Sequence, residues 1–238
     1  MSPGRTPSQR HVNAVISGDA GELRRQLAAG GDPNACDHAD VPAIAVAASR
    51  GWVEGVAVLL KAGADPSQYV RSSTPDATQG PLLIFPASNG SVDTVRLLVD
   101  AGAALDDADP TGLTPLMAAA YMGHGSIVAL LCAAGAALET RDQEGYSALM
   151  FASNAGSLPA VQALLNAGAD VSAQAKDGST PIMFAAQHGH DAVVIALLQS
   201  GADPKAEGKH GLSAIGFAQQ NGHKRTAGLL LGTGSNSR

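Results

Sequence analysis

The chain has 238 residues, 45% of them hydrophobic but only 3% aromatic, and a net charge of −6. That composition supplies a core of Ala, Leu, Val and Ile and argues against a nucleic-acid binder, which needs concentrated Lys and Arg. Met1 to Gln9 lacks the apolar stretch of a signal peptide, and no segment approaches the roughly 18 apolar residues of a membrane span, so the expectation is a cytoplasmic protein without membrane insertion.

Glycines punctuate the chain. Gly30, Gly63, Gly102, Gly135, Gly168, Gly201 and Gly234 recur every 33 residues, except for a gap of 39 between Gly63 and Gly102. Gly18, Gly51, Gly90, Gly123, Gly156, Gly189 and Gly222 run in step, with the same six extra residues in the same place. Two ladders in register mean one supersecondary unit copied along a single domain. After a polar tail over 1–9, expected to be disordered, one repeat domain spans 10–234. Its units fall near 10–36, 37–69, 76–108, 109–141, 142–174, 175–207 and 208–234, and the insertion lies within 68–80. A second tail covers 235–238. The first unit carries polar Arg24, Arg25 and Gln26, and the chain closes on Asn236, Ser237 and Arg238, as the wet outer faces of end units require.

The unit from Asp109 shows the local physics. Asp109-Pro110-Thr111-Gly112 reads as a tight turn. Thr114 is then a helix N-cap and Pro115 a first-turn proline. A short helix through Leu116 to Ala120 is ended by Gly123 as a left-handed C-cap, and a second helix, near Ile127 to Ala134, is ended by Gly135. Ser147, Thr180 and Ser213 repeat the cap, and Asp32-Pro33, Asp65-Pro66 and Asp203-Pro204 mark exit loops. Neither helix can bury its apolar face alone, so successive pairs must stack.

These residues resemble the ankyrin repeat family. The match runs through Gly112-x-Thr114-Pro115-Leu116, Ala119-Ala120-x-x-Gly123-His124, Leu130-Leu131 and Gly135-Ala136. It is better still through Gly178-x-Thr180-Pro181, Ala185-Ala186, Gly189-His190, Leu197-Leu198 and Gly201-Ala202-Asp203. The resemblance covers about residues 10–234 and implies an all-α solenoid with β-turn or hairpin tips, about seven units including caps. A tetratricopeptide array has a similar period but lacks the Gly-x-Thr-Pro turn and this exit loop.

Several positions depart from the pattern. Met117, Met150 and Met183 stand where the family has a His that bonds between repeats, which predicts methionine packing instead. Phe85, Phe151, Phe184 and Phe217 share one repeat position and read as a core stripe between the helices. Pro86 predicts a kinked or shortened first helix in the third unit.

No active site emerges. His124, His190 and His223 hold a structural helix-start position after Gly. His188-Gly189-His190 reads as two rings directed apart by the glycine, with no Cys or acid at ligand spacing. Phosphate loops and a nucleophile elbow are absent from the sequence. Cys36 and Cys132 lie almost three repeats apart, beyond disulfide reach. The expectation is no enzyme, no cofactor and no metal.

The resemblance implies contacts from turn tips and the exposed ends of first helices, on the concave face. Those positions are Tyr69, Leu113, Tyr121, Met122, Glu144, Tyr146, Asn154, Asp177, Gln187, His188, His210 and Leu212. The reading is a non-enzymatic scaffold or inhibitor that grips another protein, with Tyr121, Met122 and Tyr146 at the centre, acting as a monomer rather than an oligomer. The alternative is a small-molecule binder or unusual enzyme with a pocket at the irregular third unit, built from Trp52, Tyr69, Arg71, Asp76 and Asn89. Self-association through an end of the stack is a third.

Overall fold

A computed structural model describes residues 13–71, 79–208 and 211–232. Asp76, His210 and Gly234 lie outside them. The chain forms two compact units, Met1–Pro110 and Thr111–Arg238. The division falls where a repeat begins.

In the first unit, helical residues 13–17 (α1) lead to α2 (Ala20–Ala28), α3 (Ala43–Ser49) and α4 (Val53–Lys61). A two-stranded antiparallel ribbon, β1 (Tyr69–Val70) and β2 (Gly80–Pro81), pairs Tyr69 with Pro81 and Val70 with Gly80. Helices α5 (Ile84–Asn89) and α6 (Val92–Asp100) follow. First helices pack on first helices (α3 on α5), and second on second (α2 on α4, α4 on α6). Leu23, Ile44, Leu59, Leu82, Leu83 and Leu98 fill the space between the layers and are fully buried.

The second unit repeats the arrangement with α7 (Pro115–Tyr121), α8 (Gly125–Ala133), α9 (Ala148–Ala155), α10 (Leu158–Asn166), α11 (Pro181–Gln187), α12 (Asp191–Gln199), α13 (Ala214–Gln220) and α14 (Lys224–Gly232). Here α7, α9, α11 and α13 form one layer and α8, α10, α12 and α14 the other. Met117, Met150 and Met183 are buried in the core, as expected of methionine in place of a polar residue. Met150 also stands in for the usual acid of a capping box: the Ser147 N–H reaches its Sδ at 3.5 Å.

Both glycine ladders take positive φ throughout the described residues. Gly30 to Gly201 lie at 87–96°, and Gly18 to Gly222 at 65–81°. A Cβ is disfavoured in this region, which is why the ladders are glycine. The caps are less uniform than the repeat. Thr114 accepts from the Met117 N–H at 3.3 Å, and Ser147 and Ser213 accept from Met150 and Gly216 at 3.4 Å. Thr180 does not cap α11, contrary to expectation; its φ is −110°, and its buried hydroxyl oxygen has no hydrogen-bond partner.

Pro86 shortens its helix as expected. Helix α5 spans six residues against seven in α7 and starts two positions late on the repeat, so that Pro86 sits in the first turn, where no N–H is needed.

Candidate partner-binding face

In the second unit the turn tips and first helices bring four aromatic side chains into an edge-to-face series. Tyr121, at the end of α7, meets Phe151 of α9 with ring centroids 5.7 Å apart. Tyr146, just before the α9 cap, meets Phe151 at 5.9 Å and Phe184 of α11 at 5.2 Å. The interplanar angles of 83°, 90° and 85° place ring edges on ring faces, the electrostatically favoured geometry.

The phenylalanine stripe therefore needs correction. Phe85, Phe151, Phe184 and Phe217 are half-buried, not enclosed core, and Phe151 and Phe184 belong to the same face as the tyrosines. Sequence reasoning missed them because the shared repeat position shows that they align, not how far each is covered. Their spacing of three residues from Asn154 and Gln187, on the same helix face, was the available signal.

Tyr146 and Phe184 pack against Met150, Ala173 and Ala175, so the middle of the series is anchored. Tyr121 and Met122 at its edge are 51% and 53% exposed. The Asp142 carboxylate shapes the tip before Tyr146 by accepting from the Glu144 and Tyr146 N–H groups at 2.9 and 2.7 Å. Burial, then the charges of Asp177, Glu144 and Asp142, push the Tyr146 hydroxyl above its usual range. Asp177 is tied to the Ser179 N–H and hydroxyl, both at 2.9 Å. Glu144 is exposed.

Other expected contact residues have structural duties. The Asn154 carbonyl accepts from His190 Nε2 at 3.0 Å, and the Gln187 carbonyl from His223 Nε2 at 3.1 Å. These bonds join one repeat to the next, so substitution of the family histidine by methionine leaves polar inter-repeat bonding in place. Leu113 and Leu212 are half-buried, the latter against Gly216 in the first turn of α13. His188 is exposed, and its ring stacks on that of His190 at 5.8 Å and 29°, which corrects the expectation of rings held apart. Burial, with the charges of His190 and His223, holds His188 below the usual imidazole range. Among the described residues no group of three or more His, Cys, Asp or Glu is placed to hold a metal.

Tyr69 belongs to the first unit, where it is 39% exposed and the Arg71 guanidinium lies 5.9 Å from its ring centre. Of the alternative pocket, Trp52 and Asn89 serve the fold. Trp52 packs its ring on Gly55, leaving no room for a Cβ there. Asn89 donates to the Ala48 and Ser49 carbonyls at 3.3 and 2.8 Å and accepts from the Ser91 N–H at 3.0 Å. Elsewhere in this unit, Leu27, Ala28, Val58 and Ala62, with Arg24 and Lys61, line a cleft of about 410 Å³ on the second helices. None of these was expected as a pocket residue. Both cysteines are free, and no described helix is long and apolar enough to cross a membrane.

Paired short helices, glycine-ended and stacked layer on layer, define a helical repeat protein. The family model for ankyrin repeats (three copies) matches residues 83–175 and 149–238, together more than half of the sequence, and the chain belongs to the ankyrin repeat family. Members are generally modules of protein–protein interaction and typically non-enzymatic scaffolds.

Proposed function

We propose that this chain is a non-enzymatic scaffold or inhibitor that binds a partner protein through the first-helix face of the second unit. The observation that carries this reading is the aromatic series from Tyr121 to Phe184. Two large side chains, Tyr121 and Met122, are about half exposed beside rings that packing holds still. Rigid amphipathic rings lose little entropy on contact and commonly anchor interfaces. Leu113, Glu144, Asn154, Asp177, Gln187, His188 and Leu212 form the surrounding surface. In this reading the protein acts as a cytoplasmic monomer.

The test is affinity capture from the native host with the full chain, comparing wild type with Tyr121→Ala/Met122→Ala. Both residues are exposed, so the thermal midpoint should hold while the captured partner is lost. Partner retention by the folded double variant rejects this face.

A further inference from the structure

Resting on that reading, we infer that the partner presents a basic segment to this face, with an arginine or lysine side chain laid against Tyr146 and Phe184 and its charge directed to Glu144 and Asp177. The argument is one of complementarity. Tyr146 and Phe184 form the closest ring pair of the series, centroids 5.2 Å apart, and both remain half-buried. A half-exposed aromatic pair accepts the aliphatic stem of a long side chain and attracts a cation at a ring face.

Charge at the two adjoining tips favours the same occupant. Asp142, Glu144 and Asp177 are acidic. Of the nearby cations, Arg141 is engaged: its guanidinium meets Glu139 at 3.4 Å and donates to the Gly145 and Gln174 carbonyls at 3.2 and 3.4 Å. Among the described residues, Lys176 is the cation left at these two tips to offset the three carboxylates. Asp142 and Asp177 spend lone pairs on their own turns but keep their charge, whereas the exposed Glu144 side chain is available to a visitor. An acidic or purely aliphatic segment would desolvate these carboxylates without compensation.

The experiment uses the full chain and two probes, the peptide Ac-Gly-Leu-Arg-Leu-Gly-NH2 and its citrulline counterpart, which keeps the shape and loses the charge. Binding is read from the ring resonances of Tyr146 and Phe184. The arginine peptide should shift them and bind about fivefold more tightly than the citrulline peptide. Glu144→Gln, whose side chain supports no turn, should shrink that preference. Equal binding of the two peptides, silence of both rings, or an undiminished preference in Glu144→Gln overturns the inference. The reading of the face as a protein-binding surface is judged separately, by partner capture with Tyr121→Ala/Met122→Ala. Capture that is lost there but unchanged by Glu144→Gln keeps the face and removes the basic segment.

Discussion

His190 donates from Nε2 to the carbonyl of Asn154 at 3.0 Å, and its ring lies so close to Gly156 that a Cβ there would meet it at 2.6 Å. His223 stands in the same relation to Gln187 and Gly189, with a bond of 3.1 Å and a would-be contact of 2.5 Å. The glycine of one repeat thus does two things. Its positive φ ends the first helix, and its missing side chain opens a seat for the histidine of the next.

The glycines are consequently not equivalent. Gly168 has a φ of 96° with open space around it, whereas Gly156 has a φ of 69° with an imidazole in the way. Gly168→Ala should cost about 1–2 kcal/mol of backbone strain alone. Gly156→Ala should cost more than about 3 kcal/mol, because the ring and its hydrogen bond must also move. Urea denaturation measures both, and His190→Ala should recover part of the Gly156→Ala loss but none of the Gly168→Ala loss. Equal costs at the two glycines would show that the seat is not tight.

A neighbouring imidazole, that of His188, also makes stability depend on pH. His188 is held below its ordinary pKa, chiefly by burial and then by the charges of His190 and His223. The folded chain therefore holds this proton less readily than the unfolded chain. The contribution is complete above the unfolded value of about 6.5 and declines as pH falls from there towards the lower folded value. His188→Gln should flatten the decline in denaturation midpoint between about pH 7.5 and pH 5.5. A variant with the wild-type slope would remove His188 as a source of that dependence.

Asn89 marks where the sequence was legible and where it was not. Its place near the irregular third unit and the only Trp suggested a pocket, but its amide caps the carbonyl end of α3 and holds the Ser91 N–H. Asn89→Ala removes the amide from the Ser49 carbonyl, while the Ala48 carbonyl keeps the Gly51 N–H and the Ser91 N–H keeps the Pro86 carbonyl, so the first unit should lose about 1 kcal/mol. Differential scanning calorimetry reads this. A variant as stable as wild type would release Asn89 from its structural duty and return it to the pocket reading.

The same division runs through the whole chain. Conformational demands were readable because few residues satisfy them: positive φ selects glycine, so both ladders emerged from spacing alone, and Pro86 announced a short helix. Relations between side chains on different repeats were not. The period aligned Phe151 with Phe184 but could not show that Tyr146, from another repeat position, bridges them edge to face. Nor could a glycine between His188 and His190 reveal ring direction, which depends on the preceding repeat that seats His190.

Thr114 and Thr180 occupy one repeat position and precede the same proline, so local sequence assigns both the same capping role. They differ in what the hydroxyl meets. Thr114 Oγ1 accepts the Met117 N–H at 3.3 Å, whereas Thr180 Oγ1 is buried without a partner. A cap substituted by a β-branched apolar residue forfeits its hydrogen bond, so Thr114→Val should cost about 1 kcal/mol. At Thr180 the same change removes a desolvated hydroxyl whose polarity is unpaid by any bond, and the added methyl matches it in shape. Thr180→Val should fall within about 0.5 kcal/mol of wild type or be the more stable protein. Parallel urea titrations decide the matter. A loss at Thr180 as large as that at Thr114 would mean that its hydroxyl is bonded in solution, and that the repeat, not the local backbone, governs the cap.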